Sequence, residues 1–320
     1  MNADPDRQLR WVLALVLMAA GLAAWASTGY FGRSFLAEIA LWAIVAMSLD
    51  LLAGFAGLIC LGQALFFALG GYAVGILATQ FGLGALTATG LAILLGLVAG
   101  FLVGAVVVRV GGVFFIMVTL AVGEMLHAFL FTSRKMGASD GLPGIPRANL
   151  KALGLNFDDA GTFALVALAA AFLVFVLLDR LAASPFGLVL RALHGNETRL
   201  RALGANLWAV KTAVFTLAAG ITALAGALFA QLNGFVSPDL AHWTVSGQVL
   251  IIVILGGLGS IAGPALGAVV VQVAAHLLAK HTGHWMLVLG ALFVAVVMFA
   301  PHGLFGLLKA GLARGRGRHA

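Results

Sequence analysis

Charged residues are scarce in this sequence. Asp, Glu, Lys and Arg make up 9% of its 320 residues, whereas a soluble domain is about a quarter charged. A single cysteine, Cys60, excludes an intrachain disulfide and a cysteine-based metal site. The sequence also lacks the phosphate loop, the zinc-protease helix motif and the nucleophile elbow, so it offers no usual route to ATP hydrolysis and no paired catalytic constellation.

Apolar residues fill the chain instead. Hydrophobic types make up 62% of it and the mean hydropathy is +1.12, which predicts an all-α polytopic membrane protein. Ten apolar runs approach the roughly 17–25 residues that cross a bilayer as a helix. The runs 63–80 and 264–280 are flanked by glycine, so re-entrant segments are an alternative there. The ten runs are 11–29, 36–53, 63–80, 83–108, 112–132, 161–178, 208–232, 245–262, 264–280 and 284–300.

The distribution of Lys and Arg predicts the orientation. With ten spans and a cytoplasmic N-terminus at 1–10, twelve of the 18 basic residues lie inside, including those of a basic tail at 309–320. The loop 133–160 is then external and the segment 179–207 cytoplasmic. The net charge of +7 comes largely from basic residues that flank the spans and contact anionic lipid headgroups. The sequence contains no soluble basic domain, so nucleic-acid binding is not expected. We expect the first span to be an uncleaved anchor, with cleavage after Ala26 as the alternative.

Few ionisable groups lie inside the predicted spans. Glu38 and Asp50 fall near the ends of their span, which favours the headgroup level for both. Glu124 lies near mid-span and forms Glu-x-x-His with His127, so both occupy one helix face. A second such pair, which a di-metal site would need, is missing. We expect an internal hydrogen bond or a contact to a neighbouring loop, and a proton relay in a secondary transporter is the competing interpretation.

Glycine is concentrated in two blocks, one in each half of the chain. The first reads "GFAGLICLGQALFFALGGY" over 54–72 and the second "LGGLGSIAGPALG" over 255–267. Glycine costs a helix about 1 kcal/mol relative to alanine, so the blocks predict interrupted helices that line a substrate path, with tight packing as the alternative. The residues assigned to this path are Gly54, Gly57, Leu58, Cys60, Gly62, Gln63, Gly256, Gly257 and Gly259.

The segment 179–207 is amphipathic. Ser184-Pro185 marks a helix start, leucines alternate with arginines, and Gly204 ends the run. From the residues alone, an interfacial helix in the headgroups and a docking site for a partner are equally supported.

The order of several blocks resembles the LivM-type permease family of ABC transporters, which import branched-chain amino acids. Between about residues 36 and 308 the blocks are "GFAGLICLGQALFFALGGYA", "GGVFFIMVTLAVGEMLHAFL", "SDGLPGIP", "FGLVLRALHGNETRLRALGAN", "GFVSP", "LGGLGS-IAGPALGA" and "FAPHGLFGLL". The resemblance implies a type II permease domain over 11–308 in a bacterial inner membrane. It also implies a second permease subunit, two cytoplasmic ATPases and an extracytoplasmic binding protein.

The resemblance also implies roles for particular residues. The chain would bind no cofactor and be no enzyme, because the ATP is used by the partner subunits. The segment 179–207 corresponds to the family's coupling segment, which favours docking over the headgroup interpretation. The residues assigned to ATPase coupling are Arg191, Asn196, Glu197, Arg201, Ala202 and Gly204.

Two departures from the family pattern bear on specificity. Leu58, Cys60 and Gln63 stand where the family pattern has polar or titratable residues. These positions are therefore the first place to test for a changed substrate preference. His194 and Gly195 replace the first coupling carboxylate and its neighbour, which bears on the choice of ATPase. The related urea permeases share the first block, so urea or another small solute is the alternative substrate, while "SDGLPGIP" favours amino acids.

Overall fold

Helices make up almost all of the regular structure. The computed structural model describes residues 5–147, 149–150, 155–156, 159–281, 287–288, 290–291, 293–294, 298 and 303–316. The helices are α1 Pro5–Ser27, α2 Tyr30–Asp50, α3 Gln63–Thr79, α4 Ala85–Val107, α5 Val113–Thr132, α6 Ala160–Ala183, α7 Pro185–Gly195, α8 Glu197–Ala202, α9 Leu207–Asn233, α10 Trp243–Gly256, α11 Ala262–His281 and α12 Gly303–Arg316.

Short strands and turns occupy the connections at the other end of the bundle from α7 and α8. The strand β1 Leu142–Pro143 pairs antiparallel with β4 Phe235–Val236, and β2 Asn149–Leu150 pairs antiparallel with β3 Leu155–Asn156. Single 3₁₀ turns lie at Arg134–Met136, Ala138–Asp140 and Pro238–Ala241. The 133–160 connection therefore has local structure, and β1 ties it to the end of α9.

The predicted class, an all-α polytopic membrane protein, is confirmed. In the described part of the chain, seven helices are long and apolar enough to cross a membrane. Nine of the ten predicted runs coincide with helices, and the run 284–300 lies largely outside the described residues. The total of ten spans stays a prediction.

Two helices are too short to cross the hydrocarbon unaided. At about 1.5 Å per residue, the 17 residues of α3 cover about 25 Å and the 14 residues of α10 about 21 Å. The expectation that helix continues through 245–262 is wrong, because α10 ends at Gly256 and Gly257 takes a φ of 110°. The run 264–280, set apart as a possible re-entrant segment, belongs to the uninterrupted 20-residue helix α11.

Two helices form the centre of the bundle. In their most apolar windows, α2 is 83% buried and α9 is 72% buried, whereas α1, α4 and α5 are buried by 28% or less. The peripheral helices therefore present most of their apolar surface outward, where lipid or other subunits cover it. Ser48 of α2, Thr222 of α9 and Gln63 of α3 form a buried chain of hydrogen bonds at this centre.

Hydrogen bonds to α6 hold the peripheral helix α1 at both ends. Near its beginning, Arg7 Nε lies 3.1 Å and Trp11 Nε1 3.0 Å from a carboxylate oxygen of Asp179. Near its end, Trp25 Nε1 donates to the carbonyl oxygen of Gly161 at 2.9 Å. The two helices therefore run antiparallel, with the start of α1 beside the end of α6.

Small residues bring α4 close to α9. Gly96 and Gly100 lie four residues apart, so they share one face of α4. A methyl group added at Gly96 would overlap the Ala223 side chain, and one added at Gly100 would overlap that of Ala219. Such close approach between small residues is a general means of helix association in membranes.

The contact between α3 and α9 is closer still, because it involves backbone. A Cβ atom on Gly226 would overlap the carbonyl oxygen of Phe67, and one on Gly70 would overlap that of Ala223. Each glycine thus leaves room for the other helix. Backbone atoms at this crossing cannot move aside as the end of a flexible side chain could.

We expect Gly226→Ala to destabilise the chain, because the added methyl group overlaps the backbone of α3. Overpacking of this kind costs about 1–3 kcal/mol. The matched control is Gly90→Ala on exposed α4 surface, where a Cβ meets nothing within 4 Å and alanine favours the helix. Thermal unfolding in detergent measures both, and equal melting temperatures would contradict the close-packing account.

Candidate functional site

The first glycine block interrupts the helical path between α2 and α3. The chain leaves α2 through a π-helical turn, Leu51–Phe55, and continues without regular structure to α3 at Gln63. Gly57 takes a φ of 71°, which other residues rarely adopt. The predicted helix interruption is therefore present.

The second glycine block forms a sharp turn between α10 and α11. Gly257 and Gly259 take φ values of 110° and 76°, and Ile261 takes 55°. A positive φ is unusual for a β-branched side chain, so Ile261 holds a strained conformation. Ser260 stabilises the turn, since its hydroxyl donates to the Gly257 carbonyl and accepts from the Gly263 amide.

The two blocks meet at a buried carboxylate. Asp50, at the end of α2, accepts hydrogen bonds from the Gly259 amide at 2.6 Å and the Ile261 amide at 2.9 Å. A Cβ atom on Gly54 would overlap the Gly259 amide nitrogen, so the backbones also touch. Asp50 is fully buried in the protein, and its expected depth at the headgroup level stays a prediction. We call Asp50, Gly54, Gly257, Gly259 and Ile261 the glycine junction.

Most residues assigned to the substrate path lie inside the chain. Leu58, Cys60 and Gln63 are buried, and the Gln63 side-chain oxygen accepts a hydrogen bond from the Thr222 hydroxyl at 2.8 Å. Gly62, Gly256 and Gly257 are also buried, Gly54 is half-buried, and Gly57 and Gly259 are exposed. The assignment of these residues to the path stays a prediction.

The amphipathic segment folds as two short helices, α7 and α8. The Ser184 hydroxyl caps α7 by accepting from the Gly187 amide, with Pro185 at the first helical position, as the Ser-Pro pair predicts. Asn196 caps α8 through the Arg199 amide at 2.9 Å, and α8 ends before Gly204, whose φ is 84°. Two caps in sequence explain why one amphipathic run becomes two helices.

A charge cluster holds α8 against the start of α9. Lys211 Nζ lies 2.8 Å from Glu197 Oε1, and Arg201 lies 3.5 Å from the same oxygen. The Lys211 side chain is 7% exposed and that of Glu197 is 43% exposed. Glu197 thus neutralises a buried ammonium group, a role that its position in the coupling pattern does not indicate.

The α7 helix contacts the first glycine block. The Arg191 guanidinium lies 5.9 Å from the centre of the Phe55 ring and also donates to the Ala182 carbonyl at 2.5 Å. A Cβ atom on Gly57 would approach the His194 ring to 3.3 Å. The coupling residues and the glycine junction are therefore connected through Phe55 and Gly57. Ala202 lies in α8 beside the exposed Arg201.

A cavity lies on the surface formed by α7 and α8. It has a volume of about 340 Å³ and is lined by Ala192, Gly195, Asn196, Arg199, Leu200 and Leu203. Because both helices contribute to the walls, a group seated in the cavity would contact both.

A second polar cluster lies where α5 meets the beginning of α10. The Trp243 amide donates to Glu124 Oε1 at 2.9 Å, and His127 Nδ1 lies 3.8 Å from Glu124 Oε2. The rings of His127 and His242 are 5.1 Å apart. Of the two expected arrangements, the internal hydrogen bond of Glu124 is present, with the first residue of α10 as donor, while the described residues hold no group of three or more His, Cys, Asp or Glu suited to a metal ion.

Sequence reasoning missed the contacts that three residues of these sites make. Asp50 was visible as a carboxylate that ends an apolar run, followed by Gly54 and Gly57. Lys211 had the signal of a lone cation in an apolar helix. His242 had none, because only the fold brings it beside His127.

Comparison with known proteins identifies relatives of the whole chain. The model of the family described as "Branched-chain amino acid transport system / permease component" matches residues 31–297. The chain is 31% identical to the "High-affinity branched-chain amino acid transport system permease protein LivM" of Escherichia coli, over 98% of this chain and 80% of the relative. It is 28% identical to the "Probable branched-chain amino acid transport permease protein LivM" of Methanocaldococcus jannaschii, over 84% and 86%. No solved structure gives a significant match.

Proposed function

Since this chain belongs to the family of permease components of branched-chain amino acid ABC transport systems, we propose that it works in a bacterial inner membrane as one of two paired permease subunits. As a permease subunit it is not itself an enzyme. In the proposed assembly, two separate ATPases hydrolyse ATP and an extracytoplasmic binding protein delivers a branched-chain or similar small amino acid.

We place the N-terminus, α7 and α8 on the cytoplasmic side. The positive-inside bias of Lys and Arg favours this orientation. The contact between Arg7 and Asp179 supports it, because it puts the start of α1 at the same end of the bundle as the segment that follows α6. The loop 133–160 and the beginning of α10 then lie toward the outside.

Contact between α7 and the first glycine block carries the proposed mechanism. An ATPase that binds at the 340 Å³ cavity and at the residues around Glu197 would move α7 and α8. That motion reaches Phe55 and Gly57 through Arg191 and His194. Asp50 passes it to the turn between α10 and α11, so both interrupted helices move together.

ATP-driven uptake tests this proposal. Proteoliposomes containing the chain with its partner subunits, and supplied with binding protein, are expected to accumulate radiolabelled leucine only when ATP is present. Two controls are liposomes without the ATPases and an excess of unlabelled urea. Leucine uptake by the chain alone under a proton gradient would contradict the proposal and favour a secondary transporter, and suppression by urea would overturn the substrate.

A further inference from the structure

Glu124 lies near the middle of α5 and is only partly enclosed. Its side chain is 35% exposed, and one carboxylate oxygen accepts from the Trp243 amide at 2.9 Å. An ionised carboxylate facing hydrocarbon costs several kcal/mol, so intramembrane carboxylates face the protein interior or a water-filled cavity. The exposed side of Glu124 therefore faces water or a polar partner.

The glycine junction gives a contrast within the same chain. Asp50 is fully buried and accepts hydrogen bonds from two backbone amides, through one oxygen each. Its charge is used in holding the turn. Glu124 receives one amide and keeps an exposed side, which leaves it able to bind a cation.

Two imidazoles stand beside this carboxylate. His127 lies one helical turn after Glu124, and its ring is 5.1 Å from that of His242. His242 Nδ1 contacts the Thr244 hydroxyl at 2.9 Å and the Thr244 amide at 3.5 Å. Imidazole N–H groups are suitable donors to a carboxylate.

The neighbouring surface is apolar. Met125 is 71% exposed, Phe129 is 55% exposed and Trp243 is 47% exposed. A molecule bound at the cluster would therefore find one acceptor for a cationic group, N–H donors for an anionic group, and apolar surface for an aliphatic chain. These are the three parts of a branched-chain amino acid.

We propose that Glu124, His127 and His242 form a transient site for the zwitterionic head group of the amino acid at the outer part of the path. Glu124 binds the α-ammonium group, the histidines donate to the α-carboxylate, and the apolar surface receives the side chain. The inference rests on the proposed transport function and adds to it the residues that select a free amino acid.

Labelling of an introduced cysteine tests the site in the assembled transporter. Cys60, the only cysteine of the sequence, is fully buried and is kept, so the native chain gives the labelling background and Trp243→Cys reports on the site. A membrane-impermeant thiol reagent is expected to label Trp243→Cys, and leucine is expected to slow labelling at least fivefold. The 2-hydroxy analogue of leucine, which lacks the ammonium group, is expected to give no protection.

Glu124→Gln is the decisive variant. Glutamine keeps an oxygen that accepts from the Trp243 amide, so the contact with α10 is preserved while the charge is lost. We expect Glu124→Gln to abolish protection by leucine. Phe81→Cys is the positional control, since Phe81 is 70% exposed at the same end of the bundle but lies outside the proposed site, and its labelling should not respond to leucine.

The outcomes separate this inference from the function on which it rests. If the native transporter imports leucine but leucine leaves labelling of Trp243→Cys unchanged, the site is wrong and the function stands. If the native transporter imports no leucine while fully assembled, the function itself fails. Should Trp243→Cys not assemble, Gly247→Cys replaces it one turn later on α10, where a Cβ meets nothing within 4 Å. Failure of the reagent to label the assembled reporter would also overturn the site.

Discussion

Asp50→Leu is expected to abolish transport and to lower the melting temperature in detergent by about 5–10 °C. The Asp50 carboxylate accepts from the amides of Gly259 and Ile261, and hydrogen bonds to a charged group contribute about 1.5–3 kcal/mol each. Leucine would leave both amides without this acceptor, and the strained Ile261 conformation would lose its support. The turn between α10 and α11 should therefore loosen.

Two further variants test whether loss of the Asp50 carboxylate causes the effect. Asp50→Asn keeps one acceptor oxygen but presents an NH₂ group to the second amide, so an intermediate loss of stability is expected. Asp140→Asn changes a carboxylate on the exposed surface and should leave stability and uptake unchanged. Full transport by Asp50→Leu would show that the glycine junction is not needed for coupling.

Glu197→Lys is expected to reduce ATP-dependent leucine uptake at least tenfold. The substitution places a cation beside the Lys211 ammonium group, which now lies 2.8 Å from Glu197, and beside Arg201. Removing the partner of a buried charge costs several kcal/mol, and a like charge adds repulsion. We expect α8 to detach from α9, so that loaded binding protein no longer stimulates ATP hydrolysis.

Charge exchange then separates two explanations for this loss. The double variant Glu197→Lys with Lys211→Glu restores an ion pair of the same two groups in reversed order. Recovery of uptake would mean that Glu197 acts by holding α8 in place. If the assembled double variant stays inactive, Glu197 contacts the ATPase directly. Glu197→Gln, which keeps a hydrogen-bond acceptor for Lys211, should retain part of the activity.

The helices were predictable because the bilayer imposes long apolar runs, and nine of the ten runs coincide with helices. The start of α7 at Ser184-Pro185 was predictable for a similar reason, since caps are local in sequence, whereas the cap at Asn196 that begins α8 was not predicted. The glycine block over 255–267 predicts an interruption, but hydropathy does not show that α10 ends at Gly256. The positive φ values of Gly257 and Gly259 end the helix there.

In the candidate sites too, local contacts were predictable and long-range contacts were not. Glu124 and His127 are neighbours on one helix face, so sequence spacing paired them. The junction of Asp50 with Gly259, the pair of Lys211 with Glu197 and the approach of His242 to His127 all join distant parts of the chain. Such contacts follow from helix packing, which hydropathy does not encode.

The shortness of α10 limits how a lone copy of this chain can exist in a bilayer. Its 14 residues cover about 21 Å of a hydrocarbon layer about 30 Å thick, so the non-helical stretch before Trp243 has to fill the remaining depth. Irregular backbone at that depth is tolerated only where protein or water shields it from lipid. Phe235 and Trp243 nevertheless stand partly uncovered in the single chain. We therefore expect the second permease subunit of the proposed assembly to cover these side chains, and the chain to be degraded in the cell when that subunit is not supplied.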